Sequence, residues 1–144
     1  YNRSQLHKDL EKDAIYHKSL KSLLNISDFF SINCPATKET RHIINKETLK
    51  YFPDGAVITN SARGDMIDDD AMIEALKKRK IYAVGLDVYK GEPDIHPGYL
   101  NQPNVFVLPH LGSATKKTRI DMANLAIKNI EEFFKTGKCI NKVN

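Results

Sequence analysis

The chain has 144 residues, of which 41% are hydrophobic and 28% charged, and its 22 basic and 18 acidic residues give a formal net charge of +4. This composition is typical of a globular domain, and the dispersed charges argue against the dense basic surface of a nucleic-acid-binding protein. No apolar stretch approaches the roughly 20 residues that cross a bilayer, so we expect no membrane partner.

The N-terminal half alternates between helical patterns and short apolar runs. A helix is expected around residues 18–25, followed by a strand over 29–34 that stops at Pro35. A second helix, over 46–51, precedes the turn "FPDG" and a strand over 56–60. This order predicts βαβ units around a parallel sheet.

The C-terminal half continues the alternation. Acidic residues open and basic residues close a helix over 68–80, as the helix dipole favours. Strands are expected over 81–88 and 105–108, and the long loop over 90–103 between them contains Gly and Pro. The last helix, over 116–136, has apolar residues at spacings of three and four and ends before a capping glycine.

The two cysteines, Cys34 and Cys139, are distant in sequence and have no spacing typical of a metal site. We therefore expect reduced thiols in a cytoplasmic protein, no bound metal, and a Cys34 side chain packed as a small hydrophobic residue. The chain starts at Tyr1 without a methionine or a targeting pattern, so we expect that Tyr1 lies inside a longer polypeptide.

Three side chains with reactive chemistry follow three of the predicted strands. Arg63, Glu92 and His110 each lie within a few residues of a strand end. Because the carboxyl ends of parallel strands lie at one edge of a sheet, where open α/β sheets bind ligands, the three residues could share a site. Each alone also fits an ordinary role, as a surface ion pair, a solvated loop acid or a cap. Their common position favours a site.

Together these three groups suit the interconversion of a 2-oxo acid and a 2-hydroxy acid. An arginine guanidinium can pair with a substrate carboxylate, and a histidine can exchange a proton with the neighbouring carbonyl or alcohol oxygen. A carboxylate beside the imidazole would favour its charged form. No side chain supplies a hydride, so this chemistry requires a nicotinamide cofactor.

The stretches "NSARGDMIDDDAMIEALKKRKIYAVGLDVYKGEP" and "VLPHLGSAT" resemble the D-isomer-specific 2-hydroxyacid dehydrogenases, and residues 1–136 line up with the cofactor-binding domain of that family. The resemblance implies an α/β fold with a Rossmann-like parallel sheet and flanking helices, incomplete because the first βα unit and the substrate domain are missing. It implies Arg63 as carboxylate anchor, Glu92 as partner of the imidazole and His110 as acid/base catalyst. The stretches "YNRS" and "GEPDIHPGYL" match the glyoxylate and hydroxypyruvate reductase branch.

The same resemblance implies a set of cofactor contacts. They follow the predicted strands and surround the histidine, at Cys34, Pro35, Thr40, Ser61, Ala62, Arg63, Asp87, His110, Gly112 and Ser113. Asp87 would hold the nicotinamide carboxamide, although a strand-end aspartate can also cap backbone amides.

The first residues of the chain predict a preference between NAD(H) and NADP(H). Asn2, Arg3 and Ser4 occupy the place where the family carries an acidic residue for the ribose, and an arginine there accommodates a 2′-phosphate. We therefore expect NADP(H) to be favoured over NAD(H). The alternative is a polar turn without such a role.

The resemblance also sets expectations for the whole protein. Residues 116–136 would lead back to the missing substrate domain, which would leave the apolar face of this helix partly uncovered, and residues 137–144 would be a tail. The full-length protein would be a homodimer that acts on a small 2-oxo or 2-hydroxy acid, and this chain alone would be inactive.

Other functions are found on the same fold. C-terminal-binding corepressors, which sense dinucleotides, keep the same three residues, so a regulatory protein is the alternative to an enzyme. Formate dehydrogenases carry glutamine at the position of Glu92, which argues against them. Phosphoglycerate and lactate dehydrogenases stay open, because the groups that contact the far end of the substrate lie in the missing part.

Overall fold

The computed structural model describes residues 1–143, which form two compact units. The first unit covers Tyr1–Pro109 and the second begins at His110. The predicted tail over 137–144 ends at Asn144, which lies outside the described residues.

A parallel sheet forms the centre of the first unit. Its strands are β1 (Phe29–Ile32), β2 (Ala56–Asn60), β3 (Ile81–Leu86) and β4 (Val105–Val107), and they lie side by side in that order. The first unit also contains helices α1 (Lys8–Glu11), α2 (Leu20–Leu24), α3 (Lys46–Leu49), α4 (Asp69–Lys77) and α5 (Pro97–Leu100). The predicted α/β fold with a parallel sheet is confirmed.

Helix α4 supplies much of the apolar layer that covers the sheet. The Asp68 carboxylate caps it by accepting a hydrogen bond from the Ala71 N–H at 3.2 Å. Met72 and Leu76 lie one turn apart on its buried face and share a core with the strand residue Ile58. Burying each such side chain is worth about 1.5–3 kcal/mol, so the amphipathic pattern of α4 holds the helix on the sheet.

The second unit carries one long helix, α6 (Lys116–Thr136). The Thr115 hydroxyl accepts a hydrogen bond from the Thr118 N–H at its start, and Gly137, with φ of 71°, adopts the left-handed conformation at its end. Both ends agree with the prediction. No residue of α6 is buried. None of the helices within residues 1–143 is long and apolar enough to span a membrane.

Three predicted strands are shorter than expected. The strand predicted over 105–108 ends at Val107. The strand predicted over 29–34 ends at Ile32, and the strand predicted over 81–88 ends at Leu86. Both terminal residues are paired with Asn60, the last residue of β2, so no neighbouring strand continues beyond them. Cys34 therefore follows the sheet, although its side chain still packs against the core, as predicted.

The predicted loop over 90–103 contains helix α5. Its first residue, Pro97, has a fixed φ that suits a helix start, and the His96 ring accepts a hydrogen bond from the Gly98 N–H at 3.1 Å. The predicted helices over 18–25, 46–51 and 68–80 are present but shorter, as α2, α3 and α4.

Candidate functional site

The carboxyl ends of the four strands lie at one edge of the sheet. Across this edge Ile32 pairs with Asn60, Asn60 pairs with Leu86, and Leu86 pairs with Val107. The segments that carry Cys34, Arg63 and Glu92 all start here, as the parallel arrangement predicted.

A buried amide shapes the segment that carries Arg63. Asn60 is 1% exposed; its side-chain Oδ1 accepts from the Ala62 N–H at 3.0 Å and its Nδ2 donates to the Arg63 carbonyl at 2.8 Å. Its own carbonyl accepts from the Asp87 N–H at 3.0 Å, which links this segment to the end of β3. Sequence reasoning missed Asn60, although a polar residue that ends an apolar run could have marked it.

The Arg63 guanidinium is exposed at this edge. Its Nη1 donates to the Ala62 carbonyl at 2.7 Å, and within residues 1–143 the side chain forms no ion pair. A guanidinium in this state can pair with a ligand carboxylate through its remaining N–H groups.

Gly64 brings two of the strand-end segments into backbone contact. A Cβ atom at this position would lie 2.1 Å from the Tyr89 carbonyl carbon and 2.2 Å from the Lys90 nitrogen. Only glycine permits this approach, because real Cβ contacts are not shorter than 3.0 Å. The segment of Arg63 and the segment that leads to Glu92 are thus adjacent.

The Glu92 carboxylate lies in a turn that its own side chain helps to close. Its Oε1 accepts a hydrogen bond from the Tyr89 N–H at 3.0 Å, and Gly91 provides the left-handed residue of the turn, with φ of 83°. Farther along this loop, the buried Tyr99 hydroxyl donates to the Asp69 carboxylate at 2.9 Å, at the start of α4. Burial raises the pKa of Tyr99, and the charge of Asp69 raises it further. The loop of Glu92 is therefore anchored on α4.

His110 opens the second unit in an unusual backbone conformation. Its φ of 55° lies in the left-handed region, which few residues other than glycine adopt and in which Asn, Asp and His are enriched. Gly112 and Ser113 follow in a turn in which the Ala114 N–H donates to the Leu111 carbonyl at 2.9 Å, just before α6. That His110, Arg63 and Glu92 act together stays a prediction.

A cavity of about 610 Å³ beside β1 brings together several of the predicted cofactor contacts. Five of them line it: Asn2, Arg3, Cys34, Pro35 and Thr40. Its apolar wall includes Leu20, Phe30 and Ile43. The volume falls within the range of about 300–1,000 Å³ found for small-molecule sites, so the cavity has room for part of a nucleotide. Ser4 is not among the lining residues.

A smaller groove of about 280 Å³ lies between α3 and α4 and is lined by four lysines, Lys46, Lys50, Lys78 and Lys80. Three of these pair with the carboxylates of Glu47, Glu74 and Asp54. Because most of its positive charge is already neutralised, we do not place the functional site there. Within residues 1–143, no group of three or more His, Cys, Asp or Glu residues is arranged to hold a metal ion.

Comparison with known proteins gives one family. Residues 1–112 match the family described as "D-isomer specific 2-hydroxyacid dehydrogenase, NAD binding domain". In sequence, the chain is 46% identical over 121 residues to the glycerate dehydrogenase of Hyphomicrobium methylovorum, an alignment that covers 84% of this chain and 38% of that protein.

The chain is also similar to solved structures of reductases. The chain is similar to a glyoxylate reductase from Paecilomyes thermophila, with a TM-score of 0.92, 42% identity, and coverage of 99% of this chain and 43% of that one. It is also similar to an NADPH-dependent glyoxylate/hydroxypyruvate reductase of Sinorhizobium meliloti in complex with NADP and malonate, with a TM-score of 0.88, 30% identity, and coverage of 99% and 44%. The chain thus spans about two fifths of the length of the relatives it matches.

Proposed function

Because the chain belongs to the D-isomer specific 2-hydroxyacid dehydrogenase family, as part of its NAD-binding domain, we propose that it forms the C-terminal part of an NAD(P)-dependent reductase. The reaction converts a small 2-oxo acid, such as glyoxylate or hydroxypyruvate, into the D-2-hydroxy acid. The observation that carries the proposal is the exposed Arg63 guanidinium, without an ion pair in residues 1–143, at the strand-end edge of the sheet. The names of the relatives support the choice of substrate class.

Arg63 orients the substrate in this proposal. Its guanidinium pairs with the substrate carboxylate and fixes the position of the neighbouring carbonyl group. The hydrogen bonds of Asn60 to the backbone of Ala62 and Arg63 hold the segment that carries this cation. Gly64 keeps that segment against the loop of Glu92.

His110 is the acid/base catalyst in this proposal. A nicotinamide cofactor, when bound, would supply the hydride that reduces the carbonyl carbon. The His110 imidazolium donates its proton to the carbonyl oxygen, whose π bond breaks to give the alcohol, and the reverse reaction returns that proton to the imidazole. The negative charge of Glu92 stabilises the imidazolium.

The chain's own residues also suggest how the cofactor is held. Asn2, Arg3, Ser4, Cys34, Pro35 and Thr40 bind the adenosine side, with Arg3 favouring the 2′-phosphate of NADP(H). The residues that would hold the nicotinamide ring and its carboxamide are Ser61, Ala62, Asp87, His110, Gly112 and Ser113. The cavity of about 610 Å³ and the cation of Arg3 in its lining support the first part of this assignment.

The remaining features of the whole protein follow the same proposal. We expect the substrate domain and the first βα unit to lie outside these 144 residues, so that the 144-residue chain alone is inactive. Residues 1–136 belong to the cofactor domain, with 116–136 leading to the substrate domain and 137–144 as a tail. The full-length protein is a cytoplasmic homodimer; the two free thiols are consistent with a reducing compartment.

The proposal is tested by steady-state kinetics on the full-length protein with glyoxylate and hydroxypyruvate. Arg63→Lys keeps the charge but removes the planar fork, so KM should rise about tenfold or more, with a smaller change in kcat. Arg79→Lys, at the end of α4, is the matched control and should have no effect. A wild-type protein that binds dinucleotide but reduces neither substrate would favour the corepressor-like regulatory function instead.

A further inference from the structure

The cavity beside β1 contains a carboxylate as well as an arginine. Glu39 and Arg3 both line it, together with Asn2, Cys34 and Thr40. The two charges are opposite, and each is suited to a different adenosine ribose. An arginine pairs with the 2′-phosphate of NADP(H), whereas an acidic side chain accepts hydrogen bonds from the ribose hydroxyls of NAD(H).

The position of Glu39 is fixed by a closed turn. The Thr37 N–H donates to the Thr40 hydroxyl oxygen at 2.8 Å, and that hydroxyl donates to the Pro35 carbonyl, also at 2.8 Å. The Thr40 N–H donates in turn to the Thr37 hydroxyl oxygen at 3.4 Å. Because these bonds lie on both sides of Glu39, the backbone that carries its side chain cannot easily move out of the cavity wall.

The surroundings of Glu39 keep its carboxylate charged. A hydrogen bond from the Thr37 side chain and one from its own backbone lower its pKa, and the charge of Arg3 lowers it further. The carboxylate is solvent-exposed, so its interaction with Arg3 is screened and modest. It nevertheless places a full negative charge in the lining of the same cavity as the cation.

Resting on the proposed function, we infer that Glu39 is a specificity-determining residue that opposes Arg3 and limits the preference of the enzyme for NADP(H). Its carboxylate repels a 2′-phosphate in the cavity, competes with that phosphate for Arg3, and can accept a hydrogen bond from a ribose hydroxyl. The full-length enzyme should therefore use both cofactors, with only a modest preference for NADP(H).

The test measures equilibrium binding of NADPH and NADH to the full-length protein, by nucleotide fluorescence, and of 2′-phospho-AMP and AMP by calorimetry. Glu39→Gln should shift the affinity ratio toward the 2′-phosphorylated nucleotide about threefold to fivefold, the size expected for an exposed charge pair. The shift should shrink at high salt, because screening weakens the repulsion. Glu47→Gln removes the same charge from α3, outside the cavity, and should leave the ratio unchanged.

Glu39→Asp provides a second variant, since it keeps the charge and should keep the wild-type ratio within about twofold. A Glu39→Gln protein with an unchanged ratio, or with a shift toward NADH and AMP, would overturn the inference while leaving the reductase function intact. A wild-type protein that binds neither dinucleotide would instead contradict the proposed function.

Discussion

At the end of β2, one buried side chain determines the course of the backbone that presents Arg63. Asn60 satisfies an N–H group two residues on and a carbonyl three residues on, and no apolar residue could do both. A buried polar group that lost these partners would cost about 1–3 kcal/mol, so the amide is a structural requirement of this turn. The cation that we assign to substrate binding therefore depends on a neighbour that never touches substrate.

His110 combines a titratable ring with a left-handed backbone, and the two properties can be separated by substitution. Asparagine tolerates a φ of 55° but has no group that titrates near neutral pH. In the full-length enzyme, His110→Asn should lower kcat at least about a hundredfold, the lower range for loss of a general acid. Affinity for NADPH should fall much less than kcat, because His110 is one of many proposed cofactor contacts but the only proposed proton donor.

Stopped-flow turnover and NADPH titration of the same preparation measure both quantities. His17→Asn, near α2, removes an imidazole outside the proposed catalytic residues and is the control. A His110→Asn enzyme that keeps near wild-type kcat would contradict the catalytic role of His110.

At the scale of elements, local sequence signals located most of the fold. The acidic start and basic end of α4, the glycine after α6 and the apolar run of β2 each depend on a few adjacent residues, and these elements were found. The strand ends at Ile32 and Leu86 were not predicted correctly, because they are set by the length of the neighbouring strand β2. Helix α5 was missed because its Pro and Gly residues also suit a loop.

The same distinction applies to the candidate site. Features set by adjacent residues could be predicted from the sequence, and contacts between residues distant in sequence could not. Arg63 and Glu92 could be located because each follows a strand within a recognisable motif. Their adjacency depends on Gly64 meeting Tyr89 and Lys90, residues 25 and 26 positions later, and no local pattern reports such a contact. Glu39 was missed because the closed turn that holds it in the cavity wall is visible only in three dimensions.

Gly64→Ala tests whether the contact between these two segments matters. The added Cβ would overlap the Tyr89 backbone, so the segments must separate, and we expect a loss of about 1–3 kcal/mol in the free energy of unfolding. KM for the 2-oxo acid should rise, because Arg63 moves with its segment. Gly85→Ala in β3 is the matched control, since its Cβ would lie 3.5 Å from the Thr59 side chain, an ordinary contact. If the full-length Gly64→Ala and Gly85→Ala proteins unfolded at the same urea concentration, the close contact of Gly64 with the Tyr89 backbone would not be what holds the two segments together.

At the scale of the whole molecule, the most unusual surface is the apolar side of α6. The exposed fractions of Ile127 and Phe134 are 53% and 82%, and Ile120 and Ile130 are also about half exposed. An apolar surface this continuous is uncommon on an isolated soluble domain and usually marks a contact with another part of the protein or with a partner. We propose that the rest of the full-length enzyme covers it.

Dye binding distinguishes a covered helix from an exposed one. The 144-residue chain should bind the hydrophobic dye ANS. A double variant with Ile127→Gln and Phe134→Gln should reduce the ANS fluorescence, whereas Glu131→Gln on the same helix should not. In the full-length protein the wild type should bind little dye, and the same double variant should lose about 2–5 kcal/mol in the free energy of unfolding, because it removes buried apolar side chains. Strong dye binding by the full-length wild type, or no loss of stability in its double variant, would mean that the rest of the protein leaves this face of α6 uncovered.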